Sequence, residues 1–273
     1  MEKGYFLKAL GAIILLSLIS CKVLNNNMLK PLNDSRVIID TIFSTNLKES
    51  RLISTYLPKG YTLEKTYPVF YATDGQILVD SYKQSLDSII ELKIIPEFIF
   101  VGVHSNENKV PNSEFSYRNY EYIKGWADEN DTLLNAQFYK HYDFFSNEVL
   151  NYIQQKYSVT KEKKNRFFYG VSNGAGFGVT LGSENPDLFS IYICFSMAGG
   201  NYENLKWTNY NSPYYYLAYG NEEPYPLVIA LEEFDEFLKQ NNYHHSLHIY
   251  DGGHDRKKWE SEFLDILPKI IKR

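Results

Sequence analysis

Cysteine is almost absent. The 273 residues hold two, Cys21 and Cys194, too few for a disulfide framework. Long basic runs are missing too: 28 Lys and Arg stand against 33 Asp and Glu, for a net charge of −5. That balance argues against a nucleic-acid partner, because phosphate binding relies on clustered cations. No internal repeat and no Pro- or Ser-rich linker divides the chain, so one large core is expected. What the chain has in quantity is apolar and aromatic surface, 44% hydrophobic and 16% aromatic, with 24 tyrosines. That content excludes disorder as the main state.

The N-terminus has a logic of its own. Lys3 and Lys8 precede an apolar run, Leu10 to Ile19, that ends at Ser20-Cys21. The run is too short for a comfortable membrane span and is laid out as a secretory signal peptide over residues 1–20. Leu18-Ile19-Ser20-Cys21 resembles the lipobox of bacterial lipoproteins, in which the cysteine is acylated and becomes the mature N-terminus. An uncleaved N-terminal anchor is the alternative. Either way the expected partner is a membrane, held through the N-terminus, and the expected location is the bacterial cell envelope. With Cys21 lipidated, Cys194 has no disulfide partner; it sits in the apolar run Ile191–Ser196, where a thiol behaves as a small apolar group. Residues 21–35, with Asn25-Asn26-Asn27, read as a tether, and a single domain is expected over 36–273.

Within that domain, 37–43 and 51–57 are rich in β-branched and aromatic residues and predict neighbouring antiparallel strands. A strand over 67–73, a helix over 77–93 and an almost wholly apolar strand over 94–103 follow. Residues 104–132 form a long polar and aromatic stretch with His104, Arg118, Tyr120, Tyr122 and Trp126. It reads either as the wall or lid of a substrate cleft or as a surface excursion that packs its own aromatics. Helical spacing over 133–157 precedes a strand at 166–171, a helix to about 183, strands at 189–196 and 213–219, a helix over 224–240, a strand at 246–250 and a helix over 256–271. Such alternation predicts an α/β fold, a mainly parallel central sheet with helices on both faces, whose ligand sites gather at the carboxyl ends of the strands.

Gly170-Val171-Ser172-Asn173-Gly174 falls at one of those ends. The pattern G-x-S-x-G puts a serine on a sharp strand-to-helix turn that larger flanking residues would obstruct. A serine hydroxyl needs a base, and histidine exchanges protons near neutral pH. His104 and His141 precede the serine. His244, His245 and His248 lie at or inside a strand, and no carboxylate or cysteine completes a metal-ligand set around them. His254 sits in a glycine turn beyond the last strand and is the expected base. The acid should follow strand 213–219, where Gly220-Asn221-Glu222-Glu223 offers two carboxylates; spacing favours Glu222, with Glu223 next. Oxyanion donors are expected from the N–H of Asn173 and from Gly75 or Gln76; losing one such donor costs ~2.7–4 kcal/mol of transition-state stabilisation.

These pieces lie along the chain together with Tyr56-Leu57-Pro58, Gly60-Tyr61, Tyr67-Pro68-Val69, Asp74-Gly75-Gln76, Arg118, Glu121-Tyr122, Pro186-Asp187-Leu188-Phe189, Gly252-Gly253-His254-Asp255 and Trp259. In this order they resemble the putative-esterase family of α/β-hydrolases. That family includes enterochelin-type siderophore esterases, feruloyl and acetyl-xylan esterases, S-formylglutathione hydrolase and the mycolyltransferases. Ala175 departs from the pattern, standing where a second glycine is common. The resemblance implies an α/β-hydrolase fold, a triad at Ser172, Glu222 and His254, oxyanion donors near Gly75, Gln76 and Asn173, and no metal or other cofactor. The expected activity is a serine esterase acting through an acyl-enzyme on a small-molecule or glycan-linked, phenolic or siderophore ester. The rivals are an acyltransferase on the same triad and a surface-tethered binding protein without turnover.

Overall fold

A computed structural model describes residues 31–77 and 80–271. The signal peptide, Cys21 and most of the tether lie outside the described residues.

One eight-stranded sheet runs through the domain in the order β1-β2-β4-β3-β5-β6-β7-β8. β1 (Arg36–Ser44) and β2 (Glu49–Leu57) form the expected antiparallel pair, and β2 is also antiparallel to β4 (Ile99–Val103). From β4 onward, β3 (Val69–Ala72), β5 (Arg166–Val171), β6 (Ile191–Phe195), β7 (Tyr214–Gly220) and β8 (His245–Tyr250) are all parallel. Parallel neighbours need crossovers, and the helices supply them.

Successive strand residues point to opposite faces, so each apolar strand feeds two cores. Val69, Tyr71, Phe168, Tyr192, Cys194, Tyr215 and Leu217 face a layer built from α3 (Thr132–Asp143), α4 (Leu150–Lys156), α5 (Asn173–Glu184) and α6 (Tyr225–Gln240). Phe70, Phe100, Phe167, Tyr169, Ile193 and Phe195 face α1 (Asp80–Glu91) and α7 (Arg256–Ile270). Phe70 shows what the aromatic content does. Fully buried, its ring meets those of Phe98, Phe100, Phe167 and Phe263 at 4.7 to 6.2 Å. Burying a phenylalanine contributes about 1.5–3 kcal/mol, and each such ring pair about 0.5–1.5 kcal/mol beyond area. Burial also holds the Cys194 thiol far above its ordinary pKa, which leaves it inert.

Several boundaries differ from the sequence reading. Residues 94–98 are not strand: β4 starts at Ile99, beyond Pro96, which has no N–H to donate. The expected helix over 133–157 is α3 and α4 joined by a π-helical segment, Phe144–Val149, that lodges Phe144 and Phe145 in the core together. The stretch 104–132 contains a short helix, α2 (Tyr117–Tyr122). The last residues assigned to the tether also pack onto the domain: Leu32 is buried and exchanges backbone hydrogen bonds with Gly60 and Tyr61 at 2.8 and 3.0 Å.

Candidate active site

Four loops meet at the carboxyl ends of β3, β5, β7 and β8. The turn after β5 carries Ser172 at φ 54°, ψ −126°, a left-handed conformation that costs a non-glycine residue about 1–3 kcal/mol. Neighbours hold it there. Its N–H donates to the Phe195 carbonyl at 2.9 Å, and its own carbonyl accepts from Ala198 at 3.1 Å and Ala175 at 3.0 Å. The flanking glycines are needed for space: a Cβ on Gly170 would lie 2.4 Å from the Gly174 carbonyl oxygen, and one on Gly174 would lie 2.2 Å from Thr73 Oγ1.

His254 follows β8 in the turn 251–255. Its Nδ1 meets Glu223 Oε2 at 2.9 Å, with the imidazole side chain 30% exposed and the glutamate side chain fully buried. Here the sequence reading is corrected. The carboxylate that reaches the histidine belongs to Glu223, whereas the side chain of Glu222 is exposed and its backbone N–H bonds to Gly252 at 2.9 Å. The chain turns tightly here, the Glu223 N–H donating to the Gly220 carbonyl at 3.0 Å, and the turn carries the Glu223 side chain inward to the imidazole. Burial alone would raise the Glu223 carboxyl, but the hydrogen bonds from His254 and Ser196 outweigh it and hold the group below its ordinary value. The Glu223 Oε1 atom accepts from Ser196 Oγ and from Tyr250 Oη at 3.2 Å, and Trp259 Nε1 in turn donates to Ser196 Oγ at 2.7 Å. The indole also packs edge-on to the imidazole at 4.6 Å between ring centres.

Ser172 and His254 line one cleft of about 360 Å³ with Asp74, Ile77, Glu107, Arg118, Arg256 and Trp259. Gly75 and Gln76 occupy a tight 3₁₀ turn directly after β3. Asp74, at φ 56°, starts that turn, and Arg118 grips its carboxylate with two bonds of 2.6 and 2.9 Å. Burial opposes the arginine's charge, but Asp74 more than restores it and moves its pKa upward. The Gln76 side chain bonds Ser105 beyond β4, its oxygen accepting from the Ser105 N–H at 3.2 Å, so the turn is tied on both sides. Asn173 opens α5, where a backbone N–H has no partner within the helix. Asp74 and Ile77, which flank Gly75 and Gln76, line the same cleft as Ser172.

Four of the other histidines sit away from the cleft, and His244 is exposed. His104 Nε2 meets Ser54 Oγ at 2.7 Å, His141 is fully buried, and His245 and His248 lie 3.2 and 3.3 Å from Asp235 and Glu262. Among the described residues, no group of three or more His, Cys, Asp or Glu is placed to hold a metal ion. The aromatic stretch divides its work. Arg118 and Glu107 line the cleft, while Phe115, Tyr120 and Trp126 line a separate cavity of about 610 Å³. Sequence reasoning missed Ser196 and Tyr250. Their signal is tertiary, because each lies 27 residues from Glu223 along the chain and only folding brings them to it.

Known proteins carry the same framework. A ferulic acid esterase of 22% identity superposes over 88% of this chain and 98% of its own, with a TM-score of 0.71. A ferulic acid esterase from Anaeromyces mucronatus, solved with ferulic acid, covers 87% of this chain and 91% of its own at 17% identity and a TM-score of 0.67. At these identities the likeness shows the fold. Protein YbbA of Bacillus subtilis (strain 168), itself uncharacterized, is 22% identical over 141 residues, 51% of this chain; the match spans about half, 54%, of that relative. The family model described as "Putative esterase" matches residues 44–270, nearly the whole domain. On that match the chain belongs to the Putative esterase family, built on an α/β-hydrolase fold.

Proposed function

We propose that Ser172, His254 and Glu223 hydrolyse a carboxylic ester through an acyl-enzyme. The observation that carries this reading is the 2.9 Å contact between His254 and the buried Glu223, in a cleft whose wall includes Ser172 on its strained turn. Glu223 holds the Nδ1–H of the imidazole, which leaves Nε2 free to accept the serine proton. The serine oxygen attacks the ester carbon. The N–H groups of Asn173 and of the Gly75-Gln76 turn receive the negative charge that develops on the carbonyl oxygen. Collapse expels the alcohol, which takes its proton from His254. Water then attacks the acyl-serine, with the same histidine as base, and releases the acid.

The neighbours named as ferulic acid esterases make a feruloyl ester a rational member of the first substrate panel, beside short-chain aryl esters. We also propose a lipid anchor at Cys21, on the strength of the lipobox-like Leu18-Ile19-Ser20-Cys21 alone. The test of the hydrolase reading is steady-state turnover of 4-nitrophenyl acetate. Ser172→Ala should lower kcat by about four orders of magnitude or more while the fold persists. Turnover of the variant within a few fold of the wild type would overturn the reading.

A further inference from the structure

A second cavity of about 240 Å³ adjoins the catalytic cleft and shares Ile77, Arg256 and Trp259 with it. Its remaining wall holds Gln76, Tyr82, Tyr169, Lys257 and Glu260. Three aromatic rings make it a slot for something flat. Tyr82 and Tyr169 are almost fully buried, and Tyr82 is stacked in line with Phe100 and Phe263 at ring angles near 20°.

Two features of this slot have no structural use. The first is the Tyr82 hydroxyl, which is buried and meets no partner at hydrogen-bonding geometry among the described residues. The Tyr169 hydroxyl lies close enough to interact with it, but short of good hydrogen-bond geometry, and is itself 3.5 Å from the Trp259 carbonyl. A buried donor left unmade costs about 1–3 kcal/mol, a cost that a ligand oxygen would remove. The second is Arg256, at the first position of α7. Cations at a helix N-terminus oppose the helix dipole, yet Arg256, Lys257 and Lys258 stand there in a row. Asp255 already caps that terminus, accepting from the N–H groups of Lys257 and Lys258 at 2.9 and 3.2 Å, so the backbone needs no further help. Arg118, the other cleft arginine, is committed to Asp74, whereas Arg256 forms no ion pair among the described residues. Against these donors the slot offers one carboxylate, Glu260, whose pKa burial moves upward, toward the neutral form.

We propose that this slot is a substrate subsite for a flat group bearing a carboxylate, with Arg256 reading the negative charge at the mouth and Tyr82 donating to an oxygen inside. The inference rests on the esterase reading above and names a substrate class for it: an ester whose aromatic portion is acidic. Neither residue touches the reacting carbonyl. Both set which ester is held beside Ser172.

The experiment compares 4-carboxyphenyl acetate with the neutral 4-acetylphenyl acetate in the full-length protein, as a ratio of kcat/KM values. The wild type should favour the anionic ester, and the preference should shrink as salt is added. Arg256→Gln should lower the ratio about tenfold, as the loss of a charged hydrogen bond implies. Tyr82→Phe should raise KM for the anionic ester about 3- to 10-fold without lowering the melting temperature, because it removes an unpaired polar group. A ratio unmoved by Arg256→Gln, or a Tyr82→Phe variant with unchanged KM, would overturn the subsite. A wild type that cleaves neither ester, or a Ser172→Ala variant that still cleaves both, would remove the esterase reading beneath it, so the two failures are told apart.

Discussion

A carboxylate withdrawn from water keeps its charge only if donors replace the water, and Glu223 has them: Ser196 and Tyr250 on one oxygen, His254 on the other. The cluster fixes the imidazole ring and its tautomer. Glu223→Gln preserves shape but offers an amide where an acceptor is needed, so kcat should fall about 10²- to 10⁴-fold, whereas Glu222→Gln should stay within about twofold. Steady-state kinetics on the pair decides it, and the large loss appearing in Glu222→Gln instead would return the acid to Glu222. The same carboxyl carries a pH signature. Its folded pKa is depressed below 4.5, so its contribution to stability is present above that value and lost as pH falls beneath it. At this scale the sequence was half legible. Glycine-flanked turns picked out Ser172 and His254, but two adjacent glutamates look alike until Ser196 and Tyr250 select one.

The element that matters most is the turn from β5 into α5. Its glycines are legible in sequence because sterics demand them locally; the strain at Ser172 follows from the same crowding. The strain predicts an asymmetry between two inactive variants. Ser172→Gly relaxes the left-handed angle while Ser172→Ala keeps it, so the glycine variant should unfold at higher denaturant, by about 1 kcal/mol, once glycine's extra unfolded entropy is counted. Chemical denaturation of both variants checks this, and an alanine variant at least as stable would mean the turn carries no strain. Other elements were less legible. The π-helical segment and α2 depend on how Phe144, Phe145 and Tyr122 pack against distant residues, and helical spacing alone does not register that. The alternation of strands and helices, by contrast, is carried by local apolar runs, and the parallel sheet follows from it.

Across the whole molecule, one buried polar cluster ties the sheet to the cleft wall. Arg51 on β2 pairs with Glu121 on α2, and His141 on α3 lies 3.6 Å from the same carboxylate, all three at most 6% exposed. Burial pushes the Glu121 carboxyl up to about 7, against the pull of Arg51, while burial and then the Arg51 charge drive the His141 imidazole well below 6.5. The signs oppose. Between pH 4.5 and 6.5, folded Glu121 keeps a proton that the unfolded chain releases, so stability falls as pH rises. Folded His141 refuses a proton that the unfolded chain takes up, so stability falls as pH drops. In the wild type the two slopes largely cancel. His141→Phe removes one and should leave stability declining with rising pH, by at most about 1.4 kcal/mol per unit, in urea titrations across that range. A variant with the wild-type pH profile would show that the cluster does not titrate.

Esterase chemistry in this cleft requires Ser172 to be the nucleophile made reactive by His254. The most direct measurement is fluorophosphonate labelling of the full-length protein, followed by mass mapping of the adduct. It should yield a single adduct on Ser172, slowed strongly in His254→Ala and absent in Ser172→Ala. Undiminished labelling of the Ser172→Ala protein, or an adduct mapped to any other residue, would contradict it.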